Sequence, residues 1–497
     1  MAAWEIALLG AYLGVLAVLA VYGLHRYHLV LLHRRHRQDP VEPAGKFESE
    51  PTVTIQLPVF NERYVIERLI DAVCAIDWPR DRLEIQVLDD STDETREIAA
   101  AAVAHQRAKG VDIHHLHRSD RTGFKAGALE AGLATARGEF IAIFDADFVP
   151  PSDILRRTVD HFTDSRVGML QVRWGHLNAD HSLLTRIQAL MLDGHFVVEH
   201  TARHRSGRFF NFNGTAGLWR RRCIEEAGGW QHDTLTEDLD LSYRAQLAGW
   251  RFVYMPTLEA PAELPVEMNA FKSQQHRWTK GSVQTGLKML PRLLRTPLPG
   301  RVKAEAIFHL TDNVSYLLML MLSVLIAPAL LIRHQHGLNW FYLVDLPLFL
   351  SATMSVSAFY VAAARELAPK SPRHWIRRAL LLPALMALGI GLCVNNARAV
   401  IEALLRRQSP FIRTPKHRVA DGEGSRSGWI SLSYRAESTL LPLIEITLGI
   451  WFIVVVSFAF HWGQWLALPF LLLFAFGFLL VGLMSAGQRF ALRLTAA

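Results

Sequence analysis

The alternation of apolar and polar positions divides the chain into three zones. Residues 4–24 form an apolar run long enough to cross a bilayer, and Arg26, Arg34, Arg35 and Arg37 follow it. From Thr52 the apolar residues fall into short runs separated by amphipathic stretches, the pattern of strands alternating with helices. Thr52–Pro58, Leu83–Leu88, Val111–His117 and Phe140–Phe144 read as strands. Helices start near Asn61-Glu62 and Thr92, and a third covers Gly123–Arg137. This alternation predicts a parallel sheet covered on both faces, continuing to about Arg251–Met255. Amphipathic helical material follows from Asn269 to Leu294.

Beyond Arg301 the apolar runs lengthen again. Ser315–Ile332 and Trp340–Ala364 are predicted to cross, joined by a short outer loop, Arg333–Asn339. Thr439–Ala459 and Trp465–Ser485 cross out and back, leaving a basic tail with Arg489 and Arg493. The run Leu380–Val394 is different: it is short, and Asn395, Asn396 and Arg398 interrupt it. Arg377-Arg378 and Arg406-Arg407 flank both ends, which predicts an interfacial or re-entrant helix.

The expected organisation is an anchor over residues 1–30, an α/β domain over 45–265 and interfacial helices over 266–313. Two spans over 314–364, the interfacial or re-entrant helix over 373–407 and a polar loop over 408–436 follow. Two more spans over 438–487 and a tail over 488–497 complete it. Five spans with the N-terminus outside leave the α/β domain and the C-terminus in the cytosol, as the positive-inside rule requires. The first run has no basic n-region and no small-residue cleavage site, so it reads as an uncleaved anchor.

Charge changes little in this picture. The net charge of +7 comes from Lys and Arg beside the apolar runs. No basic stripe with interleaved aromatics marks a nucleic-acid surface. Cys74, Cys223 and Cys393 lie far apart in no metal-ligand spacing, which argues against disulfides and structural zinc.

The chemistry gathers at strand ends. Asp89-Asp90 and Asp145-Ala146-Asp147 each terminate a predicted strand, at the carboxyl edge where α/β sheets bind ligands. Asp145 and Asp147 suit a hard divalent cation, Mg²⁺ or Mn²⁺; the bland alternative is a pair of exposed turn aspartates. Asp89-Asp90 also leads into Ser91 and Thr92, which can cap the next helix. Lys125, beside Ala126 and Gly127 at a helix start, can approach phosphate, against the alternative of a solvated lysine. Thr236-Glu237-Asp238 supplies carboxylates for a general base, with Asp240 a further choice on sequence grounds. Gln274, Arg277 and Trp278 share one helix face, an arginine for pyrophosphate beside an aromatic ring, or else an interfacial anchor. Phe209 to Gly217 is an aromatic stretch with glycines, open to core packing or to sugar stacking. Phe411-x-x-Thr414-x-Lys416 lies in the polar loop before the last two spans.

Three acidic stations and a Gln-x-x-Arg-Trp, in this order and ending where the membrane segments begin, resemble the processive family 2 glycosyltransferases: cellulose, chitin and hyaluronan synthases. The resemblance covers nearly the whole chain. It implies an α/β plus membrane α-helical protein, a GT-A (Rossmann-like) domain inserted between transmembrane helices. It also implies an inverting, processive transfer of a nucleotide-activated hexose, UDP-glucose first and GDP-mannose second, with Mg²⁺ or Mn²⁺. The growing β-glycan would be the acceptor and would be threaded across a bilayer, the bacterial inner membrane. By the same resemblance Asp238 is the base, and Asp145 and Asp147 hold the metal. Asp89, Asp90, Lys125, Asp145, Gln274, Arg277, Thr414 and Lys416 contact the nucleotide sugar, and Glu237, Asn213, Gly214 and Trp278 the acceptor. The wording Asn213-Gly214-Thr-Ala-Gly217 is most similar to plant mannan and xyloglucan-backbone synthases. Arg413 departs from the small apolar residue of cellulose synthases, and no cyclic-di-GMP module is expected after the last span. Two alternatives stand beside this reading: a single-transfer enzyme acting on a lipid such as ceramide, and a transporter carrying an inactive transferase-like domain.

Overall fold

The computed structural model describes residues 1–407, 413–419 and 440–494. Phe411 and most of the polar loop lie outside the described residues. The α/β domain is built on seven strands: β1 (Val53–Val59), β2 (Leu83–Asp89), β3 (Ile113–His117), β4 (Phe140–Ile143), β5 (Val167–His176), β6 (Gly217–Arg220) and β7 (Arg251–Ala262). They form one sheet in the order β3-β2-β1-β4-β6-β5-β7. β1, β2 and β4 are almost wholly buried, as continuous apolar runs covered on both faces must be. One face packs Ile55, Leu57, Val87 and Phe140; the other packs Leu129, Ile141, Phe210, Phe212 and Trp219. Phe209 joins a cluster around Tyr243 and Leu293. The aromatic stretch is therefore core.

The sheet is mixed, which corrects the all-parallel expectation. β1 pairs parallel with β2 and β4, but β6 runs antiparallel to both β4 and β5. The reason lies in the loop before it. Ala216 N–H donates to the Ile143 carbonyl, and Gly217 sits opposite Ile143, so β6 enters at the edge where β4 ends. A chain entering there can only run back, without the crossover that a parallel strand needs.

Helix α1 (Ala3–His36) extends beyond the apolar run. In the domain, α2 (Ile66–Cys74), α3 (Thr95–Ala108) and α4 (Phe124–Thr135) connect the first four strands. Helix α5 (Leu183–Asp193) continues without a break into a π-helical turn, Gly194–His200. Then come α6 (Glu237–Leu247), α7 (Met268–Arg295) and α8 (Gly300–Thr311). Long apolar helices follow: α9 (Val314–Gln335), α10 (Tyr342–Leu367), α13 (Leu441–His461) and α14 (Leu468–Leu494). Between the pairs lie α11 (Leu382–Gly391) and α12 (Cys393–Leu404). Among the described residues, five helices are long and apolar enough to cross a membrane, or six if the pair bent by 42° at Leu392 is one span.

Asn395 and Asn396 of that bent pair are buried, whereas Arg398 is exposed. Asn395 Nδ2 donates to the Lys272 carbonyl, and Lys272 Nζ pairs with Glu445 of α13 at 2.6 Å. Burying such groups is tolerable only when they are paired, so α7 is tied to the helical bundle through a fixed set of polar contacts.

Candidate active site

A cleft of about 200 Å³ opens at the carboxyl ends of β1 and β4, between the sheet, the start of α6 and one face of α7. Of the sequence-predicted residues, Asp90, Lys125, Asp145, Asp147, Asn213, Gly214, Glu237, Asp238, Gln274, Arg277, Trp278, Thr414 and Lys416 all line it.

Asp89 does not. It is fully buried, where it accepts from His115 Nε2 (2.8 Å) and from the backbone N–H of Ser91 (2.8 Å). Burial pushes its pKa up, but these donors prevail and leave it lowered. Its place is beneath the cleft, fixing the turn that presents Asp90. The strand ends at Asp89, and of the pair it is Asp90 that lines the cleft. Asp90, itself buried, is clasped bidentately by Arg118 at 2.8 and 2.6 Å.

On the sheet edge, Asp145 and Asp147 each meet a lysine. Lys125 Nζ donates to Asp145 Oδ1 (2.5 Å) and to the Gly214 carbonyl (3.0 Å). Lys416 Nζ donates to Asp147 Oδ2 (2.6 Å) and to the Glu263 carbonyl. Burial raises the pKa of Asp145, with Lys125 opposing. Two carboxylates with hard oxygen donors fit a divalent cation that arrives with a diphosphate, since Mg²⁺ is usually held by one or two carboxylates plus phosphates and water. Among the described residues no cluster of three or more His, Cys, Asp or Glu stands ready to hold a permanent metal.

Segment 413–419 lies across this edge. Arg413 pairs with Glu62 (3.0 Å), and the N–H groups of Arg418 and Val419 donate to the Glu263 carboxylate (3.1 and 2.7 Å). Among the described residues the buried Thr414 hydroxyl has no hydrogen-bond partner, while its side chain lines the cleft. Sequence reasoning missed Glu62 and Glu263. Both sit within a few residues of a strand end, and that position was the available signal.

The opposite wall begins at α6. Asp238 lies in its first turn and accepts from the Leu239 N–H (2.8 Å). Burial raises its pKa to about 7, and the charge of Glu237 adds to the rise. Asp240, the other choice for a base, is fully buried and paired with Arg244 (2.8 Å) and Lys288 (2.9 Å), so it braces the helix. The strand-end loop closes on Asp238: Gly214 has φ +82°, and a Cβ there would stand 3.0 Å from Asp238 Oδ2. Glycine alone takes that backbone at no steric cost. Gly281 of α7 packs equally close to Thr236, which brings Gln274, Arg277 and Trp278 over the cleft. Burial lowers the pKa of Arg277, while Glu237, Asp145 and Asp238 oppose the change.

The cleft leads inward. A second cavity of about 320 Å³ shares Trp174, Asn213, Asp238, Gln274 and Trp278 with it. A third, of about 240 Å³ between α1, α9, α10 and α14, shares Met191, Asp312, Asn313 and Tyr360 with the second.

A mixed sheet with acids at its carboxyl edge, facing a helix that carries Gln-x-x-Arg-Trp, defines a GT-A glycosyltransferase domain. Residues 51–281 match the family model described as glycosyltransferase like family 2. Curated relatives include glucomannan 4-beta-mannosyltransferase 1 of Oryza sativa subsp. japonica, 45% identical over 270 residues, covering 53% of this chain and 52% of the relative. Glucomannan 4-beta-mannosyltransferase 2 of Arabidopsis thaliana is 42% identical over 269 residues, with 53% and 50% covered. The chain thus spans about half the length of the curated relatives it matches. Among solved structures, a mannosyltransferase from Pyrobaculum calidifontis in complex with GDP-mannose and Mn²⁺ is 22% identical, with a TM-score of 0.48. That likeness covers 72% of this chain and 100% of the other.

Proposed function

We propose that this protein is an inverting hexosyltransferase that extends a β-linked glycan from a nucleotide-activated sugar, with GDP-mannose as the preferred donor and UDP-glucose second. The observation that carries the reading is the placement of Asp238: half in the cleft with Asp145, Asp147 and Lys125, half in the second cavity with Trp278. A base at that junction separates a donor side from an acceptor side, as a transfer between two bound sugars requires. The order of donors departs from the sequence-based expectation because the curated relatives are named as mannosyltransferases.

In this mechanism Asp238 takes the proton of the acceptor hydroxyl as that oxygen attacks the anomeric carbon, and the bond to the nucleoside diphosphate breaks. A pKa near the working pH suits a general base. A divalent cation held by Asp145 and Asp147 would neutralise charge on the leaving diphosphate. Lys125 and Arg277 border the same space and oppose negative charge there, and the Thr414 hydroxyl offers an unused hydrogen bond. Trp278 offers a ring face to the acceptor at the entrance to the second cavity.

The linked cavities support passage of the product into the helical bundle, and the basic residues after α1 support a cytosolic catalytic domain. Nucleotide release with each donor offered separately tests the reading. GDP release from GDP-mannose, dependent on Mn²⁺ or Mg²⁺ and exceeding UDP release from UDP-glucose, is expected. Release from neither donor contradicts the transferase, and a single-sugar product on extractable lipid favours the lipid acceptor.

A further inference from the structure

The π-helical turn Gly194–His200 has no role in the mechanism above, yet it makes the most constrained polar contact near the base. His195 and His200 are five residues apart, which on an α-helix with 3.6 residues per turn puts them about 140° out of line. The i→i+5 hydrogen bonding of a π turn brings them onto one face, with ring centroids 4.3 Å apart. Between them sits the Asn213 side chain. Its Nδ2 donates to His195 Nε2 (2.9 Å), and its Oδ1 accepts from His200 Nε2 (2.5 Å). Both ends of the amide are therefore taken inside the protein, and Asn213 is a brace although it lines the cleft.

The direction of these bonds is fixed at one end by Glu199. Its carboxylate accepts from His195 Nδ1 (2.8 Å), so His195 carries its proton on Nδ1 and leaves Nε2 bare to receive the Asn213 amide. Turning the amide over would need a proton on Nε2, either by moving it from Nδ1, which would set a bare nitrogen against that carboxylate, or by forming an imidazolium. Arg203, which pairs with both Glu199 (3.4 Å) and Glu305 (2.9 Å), keeps the carboxylate charged. At the other end, Asn213 leads directly into Gly214, whose carbonyl accepts from Lys125 and whose Cα stands against Asp238. His195, Asn213 and Asp238 share the wall of the second cavity.

We propose that the π turn is an acceptor-side positioning device: His195 and His200, acting through Asn213, hold Gly214 beside Asp238 and so set the gap that the acceptor hydroxyl must enter. The inference rests on the transferase reading. It makes His195, His200 and Glu199 positioning residues, with no contact to the reacting atoms.

Misplacing the gap lets water compete with the glycan for the donor, so the partition between transfer and hydrolysis reports on it. The full chain in proteoliposomes, with Mn²⁺ and radiolabelled GDP-mannose, is assayed for label in polymer and label in free mannose. His195→Ala is expected to raise the ratio of hydrolysis to transfer about tenfold, the loss that follows from breaking one buried hydrogen bond. The KM for GDP-mannose stays within about twofold, because the donor side is untouched. His195→Gln, which can still accept from Asn213 and donate to Glu199, restores most of the wild-type ratio, and Glu199→Gln, which still accepts from His195, largely keeps it. An unchanged ratio in His195→Ala overturns the proposal. So does an equal fall of transfer and hydrolysis in the Ala and Gln variants, the signature of a merely structural role. Wild-type protein that turns over neither GDP-mannose nor UDP-glucose overturns the transferase reading itself and this inference with it.

Discussion

The two walls of the cleft treat carboxylates in opposite ways. Along the sheet edge every acid meets a cation: Asp90 with Arg118, Asp145 with Lys125, Asp147 with Lys416 and Glu62 with Arg413, at 2.5–3.0 Å. At the start of α6, Glu237 and Asp238 have no ion pair among the described residues; burial raises both, and the charge of Glu237 adds to the cost of charging Asp238. The comparison separates two tasks. Paired acids keep a cation beside them even where burial raises them, as at Asp145 and Glu62, and in the proposed mechanism a divalent cation replaces a lysine when a diphosphate arrives. An unpaired acid in a partly dry site is raised toward neutral pH, where it can both lose a proton and accept one. A single residue type is thus set for electrostatics on one wall and for proton transfer on the other.

The largest expected effect comes from breaking the second wall. Asp238→Asn should lower kcat by about 10²- to 10⁴-fold, the range for a general base, with the donor KM within about threefold of wild type. A much larger change in KM than in kcat would move Asp238 to the donor side. Next, Asp147→Asn should raise the Mn²⁺ concentration for half-maximal rate at least about tenfold, about 1.4 kcal/mol of lost binding, while excess metal recovers most of the rate. Chelation should abolish the wild-type activity. Arg277→Lys keeps the charge but loses the planar fork, and a fall of about tenfold in kcat/KM is expected. The smallest effect sharpens the comparison through pH. The carboxyl of Asp238 is protonated below its pKa of about 7 and cannot then accept a proton. The rate should therefore fall as pH drops through that value, by about tenfold per unit well below it. A rate that does not change with pH through that value would contradict Asp238 as the base.

Much of this was legible in the sequence. Acids that end apolar runs had to lie at the carboxyl edge of a sheet, and Gln274, Arg277 and Trp278 had to share a helix face, because both follow from local periodicity. What escaped depends on long-range contacts. Asp89 and Asp90 are neighbours in sequence, and only the covering of β2 by β3 and His115 decides which one lines the cleft. The antiparallel β6 is four residues long and is set by how its loop meets β4, a feature with no periodic signature. The π turn has no periodic signature, and Asn213, which bridges its two histidines, comes from a different stretch of chain.

The most direct test of the central claim is product analysis by the purified full chain in proteoliposomes, given radiolabelled GDP-mannose and Mn²⁺. The account predicts label in a high-molecular-weight product that endo-β-mannanase degrades, formed by wild type and absent with Asp238→Asn. Polymer formed equally by Asp238→Asn, or label confined to free sugar and lipid extract in the wild type, would contradict it.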